Sequence, residues 1–162
     1  MSTHEFEILN TVSSLKAKRS SGHDNLSTSN LKQLIYALAT PLTIIINRIF
    51  TESEFPDTLK LAKIIPIHKK NDKDQMNNFR PISLLPAISK LIEKLIHKRI
   101  MQYLNTNQIL SPQQFGFRPG LSTTDAKSKF LGDTYNNINN NQPTLAVFLD
   151  LTKAFDTIDH SI

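Results

Sequence analysis

The sequence NFRPISLLPAISKLIEKLI, residues 78–96, changes from a strand pattern to a helix pattern within a few positions. Its first part, Phe79–Leu84, is predicted to be the second arm of a β-hairpin. Its second part opens the clearest helix of the chain, predicted over 87–104. The apolar residues of that helix share one face: Ile88, Leu91, Ile92, Leu95, Ile96, Tyr103 and Leu104. The stretch therefore predicts a strand that leads directly into an amphipathic helix.

The first arm of the hairpin is predicted over Leu61–Ile67, a segment rich in β-branched residues. A charged tip follows it: Lys69, Lys70, Asp72, Lys73 and Asp74. Each arm contains one proline, Pro66 or Pro81. Because proline has no N–H to donate, both arms are predicted to be edge strands rather than central ones.

Helices are predicted on both sides of the hairpin, and polar loops separate them. The predicted helices are an amphipathic one over 5–18, a pair over 29–39 and 41–52 whose second member opens at Pro41, and a weaker one over 123–138. The predicted loops are SSGHDNLSTSN (20–30), SPQQFGFRPGLSTT (111–124) and NNINNNQP (136–143). An apolar strand is predicted over 144–149, and a new helix is predicted to start after Asp150.

Composition bounds the chain to one ordinary domain or a piece of a larger one, with 162 residues of which 39% are hydrophobic. The net charge of +5 fits a polyanionic partner. With no cysteine, the sequence offers no disulfide, thiolate zinc site or thiol nucleophile, which fits an intracellular protein. The most apolar window, 37–50, is interrupted by Pro41, Asn47 and Arg48. The sequence therefore predicts a soluble protein without a membrane span.

Asp150 ends the apolar run Leu145–Leu149 in the segment LAVFLDLTKAFDTIDH, residues 145–160. An unbroken apolar strand is typical of a strand buried on both faces, and ligand sites gather at the carboxyl ends of such strands. Two interpretations are compatible with this position. Asp150 either caps the helix beginning near Thr152 or is a functional carboxylate that serves as a hard oxygen ligand for magnesium near a triphosphate.

Four ordered segments resemble reverse transcriptases of non-LTR, LINE-like retrotransposons of the jockey and RTE type. They are LAKIIPIHKK (61–70), NFRPISLLPAISKLIEKLI (78–96), SPQQFGFRPGLSTTDA (111–126) and LAVFLDLTKAFDTIDH (145–160). The resemblance implies an α/β (α+β) fold, the fingers and partial palm of a right-hand polymerase, mostly helical with a fingers hairpin and one palm strand. It implies a helical N-terminal extension over 1–60, fingers over 61–142 and the start of a truncated palm over 143–162.

The resemblance also implies an RNA-directed DNA polymerase that uses Mg²⁺ and adds dNTPs to a DNA primer on an RNA template. By position, Asp150 is the magnesium ligand and catalytic carboxylate, and the backbone carbonyl of Leu151 is a further ligand. Phe155 matches the ring that excludes a 2′-hydroxyl by collision. Without the resemblance, Phe155 would be interpreted as a core residue.

The nucleotide and nucleic-acid contacts implied by the resemblance lie in the hairpin and in the loop after the long helix. Arg80 matches an arginine that grips the triphosphate. Lys69 and Lys70 are either phosphate or template contacts, or a solvated turn. Gln114 and Arg118 match a loop along template and primer, although an ordinary turn would have the same composition.

Several parts of the intact polymerase are not found in this sequence. The Ala-Asp-Asp motif, which in the family supplies further metal-binding carboxylates, does not occur before Ile162. The sequence therefore predicts that this chain alone is inactive. The alternative hypothesis is a non-catalytic nucleic-acid-binding remnant or a pseudogene product. The basic stripe of Lys90, Lys94 and Lys98 is either a contact to the nucleic-acid backbone or a solvated helix face.

Overall fold

The computed structural model describes residues 2–69, 72–151 and 158–159. They form an α+β structure in which helices outnumber a single two-stranded sheet. The elements of the described chain are α1 (Glu5–Ser14), α2 (Thr28–Glu52), α3 (Asp57–Lys60), β1 (Lys63–His68), β2 (Phe79–Leu84), α4 (Ala87–Thr106) and α5 (Thr123–Asn139). The chain divides into two compact units, Met1–Gln108 and Ile109–Ile162. The boundaries 1–60, 61–142 and 143–162 remain a prediction.

The core of the first unit lies where α1, α2 and α4 meet. Each helix contributes apolar residues at three- and four-residue spacing, the pattern that places side chains on one helix face. The fully buried members are Ile8 and Val12 of α1, Leu31 and Ile46 of α2, and Leu91, Ile92 and Leu95 of α4. The predicted apolar face of 87–104 is therefore confirmed at its N-terminal half, whereas Tyr103 is exposed.

A polar contact joins α1 to α4 beside this core. The Glu7 carboxylate accepts hydrogen bonds from the Thr3 hydroxyl at 2.7 Å, the Lys98 ammonium at 3.1 Å and the Arg99 guanidinium at 3.0 Å. Arg99 also lies over the Phe50 ring, 4.6 Å from its centroid. Burial acts to raise the pKa of Glu7, but the hydrogen bonds and the two positive charges outweigh it, and the net pKa is lowered.

Two predicted helix boundaries are wrong. The first helix ends at Ser14, not at 18, because the backbone of Leu15 is extended, with φ −68° and ψ 143°. The predicted pair over 29–39 and 41–52 is one helix, α2, with Pro41 inside it. Proline costs a helix one hydrogen bond, but the buried residues of α2 before and after Pro41 pack into the same core, which holds the helix continuous.

Helix α2 is long and apolar enough to cross a membrane by length and composition, which the sequence analysis did not anticipate. One face of α2, including Leu31, Ile35 and Ile46, is buried in the first unit. Core helices of globular proteins also meet this criterion of length and apolar composition. The buried face of α2 packs as the face of such a core helix does. Its other side leaves Leu34 and Ile44 exposed.

The predicted hairpin is confirmed. Strands β1 and β2 pair antiparallel, with Lys63 opposite Leu84 and His68 opposite Phe79. The Lys69 N–H donates to the Asn78 carbonyl at 2.8 Å, which fixes the alternation of bonded and non-bonded pairs. By that alternation the opposed pair Pro66 and Pro81 is non-hydrogen-bonded. Each proline nitrogen then faces the outer edge of its strand, where the missing donor breaks no pairing within the hairpin.

The predicted palm strand over 144–149 does not form. Residues 145–149 have no regular secondary structure, and the side chains of Leu145 and Leu149 are 90% and 89% exposed. Nothing in the described part of the chain pairs with this segment, and a strand without a partner leaves its backbone groups unsatisfied. Phe148 nevertheless makes an edge contact with Phe130 of α5, with ring centroids 5.9 Å apart.

Helix α5 confirms the helix predicted over 123–138. Ser122 and Asp125 form a reciprocal capping box: the Ser122 hydroxyl accepts from the Asp125 N–H, and the Asp125 carboxylate accepts from the Ser122 N–H at 2.7 Å. All residues of α5 are described, and none is buried. The helix is thus defined by its cap rather than by a core. The helix predicted after Asp150 falls mostly on residues outside the described ranges.

Gly22 lies close to the backbone that joins β2 to α4. A Cβ at this position would lie 2.7 Å from the Pro86 nitrogen and 2.9 Å from the Leu85 carbonyl carbon. We predict that Gly22→Ala lowers the free energy of unfolding by about 1–3 kcal/mol, because backbone atoms must shift to admit the methyl group. Denaturant unfolding measures the change.

Gly132→Ala is the matched control for this substitution. Gly132 lies inside α5, and a Cβ there would meet nothing within 4 Å. Alanine is the better helix former by about 0.5–1 kcal/mol, so this variant should be neutral or more stable. Equal effects of the two substitutions would contradict the close approach at Gly22.

Glu7→Gln should destabilise the chain by about 1–3 kcal/mol at neutral pH, because it removes a charged acceptor shared by three donors. The folded-state pKa of Glu7 is lowered from its ordinary value of 4.5. Its contribution is therefore fully present above pH 4.5 and is lost as the pH falls through the folded-state pKa. Unfolding measured across the acid range should show the two proteins converging. Glu5→Gln, on an exposed position of the same helix, is the control. A difference from wild type that does not change with pH would refute the charged contact.

Candidate functional site

The hairpin brings two of the predicted phosphate-binding cations onto one face. Arg80 lies directly opposite Ile67 in the β1–β2 register. Opposed residues of an antiparallel pair project to the same side, and so do residues two positions apart in one strand. Lys69, two residues after Ile67 and bonded to Asn78, is therefore a diagonal neighbour of Arg80 on that side.

Both of these cations are open to solvent. Lys69 and Arg80 are exposed, and within the described chain neither side chain forms a hydrogen bond or ion pair. The opposite face of the hairpin carries His68 and Phe79, whose rings meet edge to face with centroids 5.3 Å apart. Lys70 lies outside the described residues, so its predicted contact stays a prediction.

The loop after α4 holds Gln114 and Arg118 by bonds within itself. The Arg118 guanidinium donates to the Ser111 carbonyl at 3.1 Å, and the Gln114 amide donates to the Gly116 carbonyl at 3.3 Å. Arg118 is half-buried, whereas Phe117 is exposed and has a positive φ of 60°. In this turn each of the two side chains uses one donor for a bond within the loop, and the other donors remain available to a ligand.

Asp150 follows the exposed segment 145–149 and is itself exposed, as is Leu151. It is therefore not presented by a buried sheet, contrary to the sequence prediction. The absence of the palm strand is the physical reason, because an unpaired segment has no rigid carboxyl end at which to hold an acid. Phe155 lies outside the described residues. Asp150 belongs to the second unit, and the hairpin cations belong to the first.

The described residues do not by themselves fit a magnesium site. Within 2–69, 72–151 and 158–159, no three histidine, aspartate or glutamate side chains are grouped closely enough to hold a metal ion. Magnesium keeps several waters and is held by one or two carboxylates together with substrate phosphates. Asp150 offers one exposed carboxylate, which is a single ligand rather than a complete site.

The basic stripe on α4 does not act as a unit. Lys98 pairs with Glu7, and the Lys94 ammonium lies 3.4 Å from the Ser14 carbonyl, so both contact helix α1 or its end. Lys90 and Lys94 also line a cleft together with Lys16 and Lys18. Lys16 and Lys18 were not predicted as site residues, because a short basic run after a helix has no distinctive spacing.

Comparison with known proteins gives a consistent family match. The family described as "Reverse transcriptase (RNA-dependent DNA polymerase)" matches residues 67–162. The chain is 36% identical over 155 residues to "Probable RNA-directed DNA polymerase from transposon BS" of Drosophila melanogaster. It is 31% identical to the polymerase from transposon X-element and 30% identical to that from mobile element jockey, both of the same fly.

These three alignments cover the same large share of the chain and a small share of each relative. Each includes 95% of this chain but 17% of the relative. The match to the family therefore holds along nearly the whole sequence, including the hairpin and the segment around Asp150. The resemblance to polymerases of non-LTR retrotransposons is confirmed.

Proposed function

Because the chain belongs to the reverse transcriptase family, we propose that it forms the fingers and the start of the palm of an RNA-directed DNA polymerase. In the longer protein this polymerase adds dNTPs to a DNA 3′ end on an RNA template. The relatives carry that activity in their names, and this disfavours the alternative of a non-catalytic remnant. The chain corresponds to part of the polymerase domain only.

The observation that carries the proposal is the pair of cations on one face of the hairpin. Lys69 and Arg80 are diagonal neighbours, exposed and without an acidic partner in the described chain. The planar guanidinium of Arg80 suits paired hydrogen bonds to phosphate oxygens, and Lys69 supplies a point charge beside it. A triphosphate carries the opposite charge to this pair. Lys70 is proposed to extend the same contact.

The proposed metal role rests on Asp150 and the residues beside it. Mg²⁺, when bound, would neutralise charge on the triphosphate and activate the primer 3′ hydroxyl. In this chain the Asp150 carboxylate and the Leu151 carbonyl are the proposed ligands, and the site would be completed by carboxylates outside the described residues. Phe155 is proposed to reject ribonucleotides by steric collision with the 2′ hydroxyl. Gln114 and Arg118 are proposed to contact template and primer.

The proposal predicts that Asp150→Asn abolishes activity once the chain is placed in an intact polymerase. The chain would replace the matching segment of the jockey polymerase, and primer extension on an RNA template would be measured. Loss of a metal ligand should lower the extension rate by more than about a hundredfold. Asp133→Asn, an exposed acid of α5 paired with Lys129, should keep the activity. Equal activity of the two variants would remove Asp150 from the metal site.

In the same chimeric polymerase, Phe155→Ala should admit ribonucleotides. Removing the ring opens space for the 2′ hydroxyl, so the ratio of dNTP to rNTP incorporation should fall by at least about tenfold. Competition between the two nucleotides during primer extension measures the ratio. Phe130→Ala, a ring of α5 rather than of the proposed site, is the control. An unchanged ratio in Phe155→Ala would remove the steric role.

A further inference from the structure

A cleft of about 620 Å³ lies in the first unit, between the segment that follows α1, the end of β2 and one face of α4. Four lysines line it, Lys16 and Lys18 on one wall and Lys90 and Lys94 on the other, together with one carboxylate, Glu93. The cleft is thus strongly cationic, whereas the hairpin cations lie in other positions of the same unit. Its charge is not used by the proposed nucleotide contacts.

The wall that carries Lys16 and Lys18 is held in place by its backbone. The Thr28 hydroxyl donates to the Lys16 carbonyl at 2.9 Å and accepts from the Lys18 N–H at 3.0 Å. The Ser29 N–H donates to the Lys18 carbonyl at 3.2 Å. The start of α2 therefore fixes the main chain of this segment, while both lysine side chains remain exposed.

The cations of the cleft are only partly neutralised by the described protein groups. Within the described residues, the side chains of Lys16 and Lys18 form no hydrogen bond or ion pair. Lys94 reaches only the Ser14 carbonyl, at 3.4 Å. Lys90 faces Glu93: burial raises the pKa of the Glu93 carboxyl, and the Lys90 charge acts in the opposite direction. A single carboxylate leaves an excess of positive charge, which favours an anionic occupant.

The lining of the cleft also includes three apolar side chains, Leu15, Ile82 and Leu84. Several positive charges together with apolar surface suit an extended ligand whose charges repeat along its length and whose remaining surface is less polar. The sugar–phosphate backbone of a single nucleic-acid strand has that chemistry.

From this juxtaposition we infer that the cleft between the Lys16–Lys18 segment and α4 binds the phosphodiester backbone of a single nucleic-acid strand. Lys16, Lys18, Lys90 and Lys94 contact phosphates, and Glu93 weakens the interaction. The contact is independent of sequence, because it uses phosphates rather than base edges. The choice of nucleic acid as ligand rests on the proposed function. The four lysines are different residues from the hairpin cations, and Ile82 and Leu84 of the cleft project to the same side of β2 as Arg80.

Binding of the purified chain to a fluorescein-labelled oligouridylate tests this inference by fluorescence anisotropy, without magnesium or nucleotides. Affinity should be measured between about 50 and 200 mM salt, where phosphate contacts give a steep dependence. Lys16→Gln together with Lys18→Gln should reduce the slope of log affinity against log salt by about 1.4, about 0.7 for each lost contact with a single strand. The same change in salt slope is expected with an oligothymidylate. A change seen with only one of the two oligonucleotides would assign the cleft to that kind of nucleic acid, RNA or DNA.

The matched control is Lys127→Gln together with Lys129→Gln, which removes the same charge from α5 and leaves the cleft intact. This pair should leave the salt slope unchanged. If both double variants lower the slope equally, binding follows net charge alone and the cleft has no special role. That result would overturn the inference.

Glu93→Gln provides a readout that misfolding cannot imitate, because it should strengthen binding. Removing the only carboxylate among the cleft-lining residues should tighten the complex by about threefold or more at low salt. Glu54→Gln, an exposed acid away from the cleft, should not. Equal affinities of Glu93→Gln, Glu54→Gln and wild type would sink the inference. Primer extension by the chimera is measured separately. If the chimera is inactive but the cleft variants still change binding, the proposed function fails and the inference stands. If the chimera is active but the cleft variants do not change binding, the inference fails and the proposed function stands.

Discussion

Burial of Leu91, Ile92 and Leu95 against α1 and α2 is the contact on which the placement of the first unit's other features depends. Strand β2 ends at Leu84 and α4 begins at Ala87, so the hairpin is attached to that buried face by two residues. The Ser89 hydroxyl donates to the Leu59 carbonyl at 2.6 Å and ties the approach to β1 to the same helix. Gly22 closes against the junction itself. A shift of α4 would therefore move the hairpin cations and one wall of the cleft together.

The two cationic surfaces of the first unit are built in different ways. The hairpin pair, Lys69 and Arg80, owes its common face to strand alternation and register, which depend on the backbone alone. The cleft forms where three segments distant in sequence meet. The main chain of the wall that carries Lys16 and Lys18 is held by the Thr28 hydroxyl. In the proposed function, the hairpin pair contacts a triphosphate and the lysines of the cleft contact a nucleic-acid strand.

Local patterns were sufficient for the hairpin, for α4 and for α5, because the signal of each lies in neighbouring residues. The prolines of the hairpin indicated edge strands, and their opposed register agrees with that. Helix α2 was predicted as two helices because Pro41 is a local stop signal, whereas the core contacts of Leu42 and Ile46 beyond it are not local. The strand predicted over 144–149 is wrong because it also depended on contacts that are not local. Its apolar run describes a strand that is buried on both faces, and no described segment covers it.

The sequence by itself determined the family, the hairpin with its two cations, and the amphipathic helices, since periodicity, turn chemistry and motif order are properties of neighbouring residues. Only the tertiary structure decided that Lys94 and Lys98 contact α1 rather than forming a free stripe with Lys90. It alone also decided that Lys16 and Lys18 face α4 across a cleft, and that Asp150 follows an unpaired segment. These outcomes depend on which distant surfaces meet, and a contact between residues far apart in the chain leaves no periodicity in either of them.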